Sequence, residues 1–339
     1  MNRLSVAMIV KNEEKNLHRC LGSIQGLWHQ LVVVDTGSSD RSKEIARSFG
    51  AEVYDFKWCD DFSSARNFSI DKCRHEWIMV IDADEALDND AAPLILDAIE
   101  NSNPCVFNIL LRNHYKDGNS VTLDVAPKAE ADWLLLQDGF THYTDTKIPR
   151  IIYRLDNDMF TGRIHESWGV YVGRHSLPSA DLNVVIHHFG KVDLAREEAK
   201  KDYYLELAKL DVADRPSSTV GLFNLISQAY IAEQWNTVVQ AADKYIAICH
   251  EAPIPVALMA AMARQKLGLH EEAISYLEAI LKPFPDNVLA LNRIAISLFS
   301  VGKIDEAQYH IRKAIELNPD FENSKMVLAK VESYVKTRQ

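Results

Sequence analysis

The C-terminal part of the chain repeats itself at a fixed interval. Three features recur 34 residues later, namely Gly268 as Gly302, Glu272-Ala273 as Glu306-Ala307, and Pro285-Asp286 as Pro319-Asp320. A weaker copy lies upstream, where Trp235 and Val239 stand one interval before Leu269 and Ala273. Because a unit of this size cannot bury its own apolar face, such repeats stack on one another into a solenoid. From about residue 195 the apolar spacing is also helical, which predicts stacked helical pairs.

The interval and the packing positions resemble the tetratricopeptide repeat. Ala261 and Ala295 fall where that motif has small residues, and Leu277 and Ile311 fall where it has large ones. We therefore predict that residues 196–339 form an all-α tetratricopeptide-repeat domain. Stacks of this kind present a concave surface that suits peptides or partner proteins. We expect a peptide or protein partner to bind through the repeats.

The N-terminal part alternates between apolar runs and helical patterns. The apolar runs are LSVAMIV (4–10), LVVVD (31–35), AEVYDF (51–56) and WIMVID (77–82). Near-continuous apolar strands joined by helices indicate a parallel sheet that is covered on both faces. We predict an α/β, Rossmann-like domain with a mostly parallel sheet over residues 1–195. Between about 111 and 190 the pattern is irregular, and we expect short antiparallel strands and long loops there.

Composition narrows the classes of function. The 339 residues carry a net charge of −11 with a pI near 5.6, which argues against nucleic-acid binding because phosphate contacts need a basic face. Five cysteines without a CxxC pair favour reduced thiols over a disulfide framework or a zinc site. No apolar run approaches the roughly 18 residues of a membrane span. We expect a cytoplasmic protein, and the sequence leaves a homodimer open.

Acidic side chains follow several of the predicted strands. Glu13 follows the first, Asp35 ends the second, and Asp82 and Asp84 follow the fourth. Ligands of parallel sheets bind beyond the carboxyl ends of the strands, so these residues predict one ligand site. Asp82 and Asp84 form a DxD pair, in which one carboxylate could bind ribose hydroxyls and the other a divalent metal that bridges phosphates. An acidic pair at a strand end can also be a solvated turn.

Six segments together resemble the family 2 glycosyltransferases of the GT-A fold, in the subgroup that carries tetratricopeptide repeats. They are LSVAMIVKNEEKNL, VVVDTGSSDRSKEIA, FSSARNFSID, WIMVIDADE, FTGRIHES (160–167) and IHHFG (186–190). The chain is similar in particular to bacterial peptide S-glycosyltransferases of the sublancin type and to lipopolysaccharide-core glycosyltransferases. The resemblance implies a GT-A catalytic domain, a nucleotide-sugar donor with UDP as the default nucleotide, and a divalent metal, Mg²⁺ or Mn²⁺.

The resemblance also implies roles for individual residues. The residues expected to bind the nucleotide-sugar are Val10, Glu13, Asp35, Arg66, Asp82 and Asp84, and the expected metal ligands are Asp84 and His188. Glu166 is expected to be the catalytic base, although it could instead pair with Arg163 or His165. His187 and His188 point to opposite faces of a strand, and either could be the metal ligand.

The resulting prediction is an inverting, metal-dependent hexosyltransferase, with a peptide or protein as the expected acceptor. Inversion is implied by the resemblance. A lipopolysaccharide-core or cell-envelope glycan is the alternative acceptor, and a non-catalytic scaffold that binds a sugar nucleotide is the alternative function. At two positions a structural role competes with the functional one. Asp35 could form a helix-capping turn with Ser38 and Ser39, and Arg66 could be an exposed helix arginine.

Overall fold

A computed structural model describes residues 3–116, 128–130, 135, 137, 139–190 and 194–337, with the side chains of 194–199 excepted. The contacts within the chain divide it into two compact units, Met1–Lys200 and Lys201–Gln339. The first unit contains a sheet with helices, and the second is built from helices.

The first half of the sheet is parallel and follows the alternation in the sequence. Strands β1 (Leu4–Val10), β2 (Gln30–Asp35), β3 (Glu52–Asp55) and β4 (Trp77–Val80) lie in the order β3-β2-β1-β4, and they alternate with helices α1 (Glu14–Ser23), α2 (Ser42–Ser48) and α3 (Phe62–Asp71). Strand β2 is buried along its whole length. Its Leu31 and Val33 pack into one apolar cluster and its Val32 and Val34 into another, as expected for a strand covered on both faces.

The second half of the sheet is mainly antiparallel. Strands β5 (Glu85–Leu87), β6 (Val106–Tyr115), β8 (His142–Tyr153) and β9 (Ser179–His188) continue the sheet in the order β4-β8-β6-β9-β5, and β7 (Lys128–Ala129) pairs with β8. Of these pairs, β6 and β9 are parallel and the others antiparallel. Helices α4 (Ala91–Asn101) and α5 (Gly169–His175) lie between the strands in sequence.

This topology confirms the α/β prediction and corrects part of it. The sheet is mixed rather than mostly parallel. Strands β8 and β9 have twelve and ten residues, so the prediction of short strands between 111 and 190 is wrong, whereas the antiparallel pairing of β8 with β4 and β6 confirms the predicted direction. These strands pair with partners that are distant in sequence, and such pairing cannot be read from local apolar spacing.

The second unit is helical from its start. Helix α6 (Leu194–Asp214) begins before Lys201 and continues into this unit, and the helices that follow are α7 (Thr219–Ile231), α8 (Trp235–Cys249), α9 (Ile254–Lys266), α10 (His270–Leu281), α11 (Val288–Ser300), α12 (Ile304–Leu317) and α13 (Glu322–Lys336). Helices α7 and α8, α9 and α10, and α11 and α12 pack as pairs, and α13 packs on α12. Ala261 lies in one apolar cluster with Leu277, and Ala295 lies in another with Ile311. The prediction of stacked helical pairs is confirmed.

The upstream repeat is one residue out of the predicted register. The turn within each helical pair has one residue with a left-handed φ, and these residues are Glu233 (55°), Gly268 (77°) and Gly302 (83°). Glu233 lies 35 residues before Gly268, so the buried counterpart of Ala273 is Val238 and not Val239. The upstream turn has no glycine to mark it, which explains why the sequence pattern misplaces this repeat.

Among the described residues, no helix combines the length and the apolar character that a membrane span requires.

Candidate active site

Asp35 ends β2 and lies at the centre of the loop that follows. Its side chain is buried, and its Oδ1 accepts hydrogen bonds from the backbone N–H of Gly37 at 3.0 Å and of Ser38 at 2.9 Å. Its Oδ2 is also buried but has no hydrogen-bond partner in the part of the chain that the structure describes. Buried acceptors of this kind are rare, because leaving one unpaired costs about 1–3 kcal/mol. Asp35 therefore forms a turn with one oxygen and can accept a ligand donor with the other.

Val10 and Glu13 lie at the neighbouring end of β1. Val10 pairs with Asp35 in the sheet register, its side chain packs in the core, and its carbonyl accepts a hydrogen bond from the backbone N–H of Thr36. Glu13 precedes α1 and accepts a hydrogen bond from Asn16 Nδ2 at 2.8 Å. The structure thus brings these predicted residues to one edge of the sheet.

Arg66 connects two other predicted residues. It lies on α3 with a side chain that is 7% exposed, so its interpretation as an exposed helix arginine is wrong. Its Nε donates to Glu166 Oε1 at 2.9 Å, and its Nη2 donates to Asp82 Oδ1. Burial disfavours the charged guanidinium, but the two carboxylates outweigh this effect and raise the pKa of Arg66. Glu166 is therefore held by Arg66, a partner that the sequence does not suggest.

Arg150 and Glu85 complete a buried ionic network around Asp82. Arg150, on β8, donates to Glu85 and, at 3.3 Å, to Asp82 Oδ2. The side chain of Glu85 is almost fully buried, and its Oε2 accepts the backbone N–H of Asp82 at 2.9 Å. Burial raises the pKa of Asp82, but Arg66 and Arg150 outweigh it and hold that pKa well below its usual range. One signal for Arg150 was present in the sequence, a lone charge in the apolar run IPRIIY.

Asp84 faces His188 across the pairing of β5 with β9. Glu85 lies opposite His188 in that pairing, and Asp84 Oδ2 is 3.5 Å from His188 Nε2. On its other side, His188 Nδ1 lies 2.7 Å from Asn113 Oδ1. Since an amide oxygen can only accept, Nδ1 carries a proton, and in the neutral ring Nε2 then has its lone pair on the side of Asp84. Two acceptors that face each other in this way need a proton or a cation between them.

The carboxylate of Asp84 and the imidazole of His188 fit a divalent metal. Burial lowers the pKa of His188, but the carboxylates of Asp84, Glu85 and Asp82 together outweigh this effect and raise it. A carboxylate and an imidazole are suitable ligands for Mg²⁺ or Mn²⁺. The described residues contain no cluster of three or more His, Cys, Asp or Glu side chains that could hold a metal. A metal here would therefore take its remaining ligands from phosphates and water.

Gly190 lies directly against the Asp84–His188 pair. A Cβ at this position would overlap Asp84 Oδ2 and would lie 2.7 Å from His188 Nε2. Any side chain at residue 190 would thus occupy the space between Asp84 Oδ2 and His188 Nε2. The absence of a side chain at residue 190 keeps this space open for a small ion.

His187 points away from this pair. Its Nδ1 lies 2.9 Å from His114 Nε2, and His114 Nδ1 lies 2.9 Å from Glu130 Oε2. His114 is fully buried, and its ring is nearly parallel to that of His187, with centroids 5.2 Å apart. The geometry favours His188 over His187 as the metal ligand, since Nε2 of His188 lies 3.5 Å from Oδ2 of Asp84.

Two family models match separate parts of the chain. Residues 5–148 match the family model described as glycosyl transferase family 2, and residues 289–321 match a tetratricopeptide repeat model. The chain carries a family 2 glycosyltransferase domain. The matched range of this glycosyltransferase domain includes Asp35, Arg66, Asp82 and Asp84, and it ends before Glu166 and His188.

Curated relatives match the chain over part of their length. A TPR repeat-containing protein of Synechococcus elongatus is 39% identical over 110 residues, which are 32% of this chain and 27% of that protein. The SPbeta prophage-derived glycosyltransferase SunS of Bacillus subtilis is 29% identical over 192 residues, which are 55% of this chain and 39% of that protein. The chain thus spans well under half the length of these relatives. Among solved structures, MamA from Desulfovibrio magneticus RS-1 superposes with a TM-score of 0.35 at 12% identity, covering 42% of this chain and 90% of that one.

Proposed function

We propose that this protein is an inverting, metal-dependent glycosyltransferase that moves a sugar from a nucleotide-sugar, with UDP as the nucleotide, to a peptide or protein. The observation that carries the proposal is the pair of Asp84 and His188, whose facing acceptors lie 3.5 Å apart beside Gly190. This pair lies next to Asp82, which Arg66 connects to Glu166. This proximity supports a site for the diphosphate near a candidate base.

The donor is bound by the ends of the parallel strands. The unpartnered Oδ2 of Asp35 supports a role as acceptor for a hydroxyl or N–H of the nucleoside. Asp82 has a side chain that is 34% exposed, so one face of its carboxylate remains accessible to the ribose. Asp84 and His188 would hold Mg²⁺ or Mn²⁺, which when bound would neutralise negative charge on the departing diphosphate.

Glu166 would act on the acceptor. Its carboxylate takes the proton of the attacking hydroxyl or thiol, whose oxygen or sulfur forms a bond to the anomeric carbon as the bond from that carbon to the diphosphate oxygen breaks. Attack opposite the leaving group inverts the configuration. Arg66 fixes the orientation of Glu166 through the 2.9 Å hydrogen bond from its Nε, which leaves the second carboxylate oxygen to receive the proton.

The acceptor is proposed to be a polypeptide because the glycosyltransferase domain precedes stacked helical repeats. Repeats of this kind provide extended binding surfaces for peptides and proteins. The sequence similarity to sublancin-type peptide S-glycosyltransferases supports the same choice. Contacts along the repeats would add binding energy away from the reacting atoms.

A thermal-shift panel of nucleotide-sugars tests the proposal. The correct donor should raise the Tm only in the presence of Mn²⁺, because ligand binding to the folded state stabilises it by mass action. Asp84→Asn should abolish the Mn²⁺-dependent part of the shift. The matched control is Asp90→Asn, an exposed aspartate six residues away whose side chain caps no helix. The proposal fails if no nucleotide-sugar stabilises the protein, or if Asp84→Asn and Asp90→Asn respond alike.

A further inference from the structure

The turn that carries Asp82 and Asp84 is closed by the side chain of Glu85 as well as by its backbone. The turn follows β4 and ends at Glu85, the first residue of β5, whose N–H donates to the carbonyl of Asp82 at 3.0 Å. In the opposite direction, the N–H of Asp82 donates to Glu85 Oε2 at 2.9 Å. The carboxylate of Glu85 therefore helps to define the shape of this turn.

Neighbouring elements hold the same turn from two sides. Cys20, on α1, is fully buried, and its Sγ donates to the carbonyl of Asp82 at 3.3 Å. Phe189 follows β9, and its backbone N–H donates to the carbonyl of Asp84 at 3.0 Å. This bond connects the turn to the segment that contains His188. The spacing of Asp82, Asp84 and His188 thus depends on the shape of one turn.

Arg150 reaches this turn from β8 and connects the side chains at its two ends. Its Nη2 donates both to Glu85 and, at 3.3 Å, to Asp82 Oδ2. The side chain of Arg150 is largely buried, and that of Glu85 is almost fully buried. A buried ion pair adds little stability over apolar side chains of the same volume, because both charges lose their hydration. Stability alone therefore does not account for this pair, whereas the orientation of Asp82 does.

We propose that Arg150 and Glu85 are a positioning pair that sets the spacing between the ribose and the metal. Glu85 fixes the turn and thereby the place of Asp84, and Arg150 fixes the direction of the Asp82 carboxylate. The inference rests on the proposed function, because it takes Asp82 as the ribose ligand and Asp84 as the metal ligand. The pair acts through these two residues and does not itself contact the nucleotide-sugar.

Calorimetric titration of the full chain with two probes, Mn²⁺ alone and UDP in the presence of Mn²⁺, tests the pair. Glu85→Leu/Arg150→Met removes both charges together, so no buried charge loses its partner and the fold should persist. We nonetheless expect it to bind Mn²⁺ about 10–100-fold more weakly, because the turn that carries Asp84 loses the carboxylate that closes it. Glu85→Gln/Arg150→Met keeps an oxygen that can accept the N–H of Asp82 and should recover most of the Mn²⁺ affinity. It should still bind UDP roughly tenfold more weakly, since Asp82 has lost Arg150.

The matched control is Arg112→Met/Asp145→Asn, which removes another arginine–aspartate pair between strands of the same sheet, with Arg112 Nε 2.8 Å from Asp145 Oδ1. It should leave both affinities unchanged. Thermal melts followed by circular dichroism separate positioning from stability, because in a merely structural role the affinities of each variant would follow its Tm.

The possible outcomes separate this inference from the proposed function. If Glu85→Leu/Arg150→Met does not fold, Glu85→Gln/Arg150→Met carries the test, with weaker UDP binding at retained Mn²⁺ affinity as the expected result. Unchanged affinities for both probes in the folded double variants would overturn the positioning pair alone. Equal losses in the Arg112→Met/Asp145→Asn control would overturn it as well, since any ion pair of the sheet would then have the same effect. If the unmodified protein binds neither Mn²⁺ nor UDP, the proposed function fails and the positioning pair fails with it.

Discussion

The two halves of the candidate active site are assembled in different ways. Glu13, Asp35 and Asp82 lie at the ends of β1, β2 and β4, and each belongs to a strand and the loop after it. Glu166 and His188 come from more than 80 residues further along, and the mixed part of the sheet brings His188 to Asp84. The first half depends on local structure, whereas the second depends on long-range pairing.

This difference has consequences for how each half responds to substitution. The first half is tied together by hydrogen bonds from backbone N–H groups to side chains within and between neighbouring loops, such as Gly37 to Asp35 and Asn12 to Ser38. The second half depends on single side-chain contacts, such as Arg66 to Glu166 and Asn113 to His188. We therefore expect conservative substitutions in the second half to cause large losses of function without unfolding the protein.

The largest effect is expected from Glu166→Gln. The amide keeps an oxygen that can accept from Arg66 Nε but cannot take the acceptor proton, so kcat should fall by about 10²–10⁴-fold. The thermal shift produced by the nucleotide-sugar should change little. Steady-state kinetics and donor titration measure the two quantities separately. Glu44→Gln, at an exposed position on α2, serves as the control. Equal losses of donor affinity and kcat would make Glu166 a binding residue.

The second largest effect is expected from Gly190→Ala, which should weaken metal binding. The added Cβ would overlap Asp84 Oδ2 and lie close to His188 Nε2, so the affinity for Mn²⁺ should fall by about 100-fold. Isothermal titration with Mn²⁺ and the donor diphosphate measures this directly. Gly173→Ala is a matched control, because a Cβ at that position meets no atom within 4 Å. Unchanged Mn²⁺ affinity in Gly190→Ala would move the metal away from this pair.

Asn113→Leu should have a smaller effect on the same measurement. It removes the acceptor that fixes the proton on His188 Nδ1, and loss of such a partner typically weakens metal binding by about 10–100-fold. Asn113→Asp retains an acceptor of the same shape and should preserve most of the affinity. If both variants behave alike, Asn113 acts through packing and not through the orientation of His188.

The sequence predicts the first half of the site better than the second for the same physical reason. A buried run such as VVVD, followed by a polar loop, places Asp35 at the end of a strand without any knowledge of its neighbours. Arg150 has only a lone charge in an apolar run as a local signal and Asn113 has none, because their roles arise from the pairing of β8 and β6 with strands distant in sequence. For Glu166 and His188, the family resemblance and not the local pattern supplied the prediction. The same holds for the fold. The parallel strands and the helical pairs have recognisable apolar patterns in the sequence, whereas the antiparallel strands do not.

The smallest effect is expected in the repeats, where Glu233→Gly should change only the local backbone and the free energy of unfolding. Glu233 adopts a φ of 55° in a turn where the next two repeats have glycine. A left-handed conformation costs a non-glycine residue roughly 1–2 kcal/mol, so Glu233→Gly should raise the free energy of unfolding by about 1 kcal/mol after the greater flexibility of glycine in the unfolded chain is included. Chemical denaturation monitored by circular dichroism measures this change. Gly268→Ala should show the opposite sign, because a Cβ there meets no other atom and only the backbone strain remains. Neither variant should alter the affinity for the nucleotide-sugar. If Glu233→Gly destabilises the protein, the side chain of Glu233 makes a contact that outweighs its strain, and the turn of the first repeat differs from the other two in more than its residue.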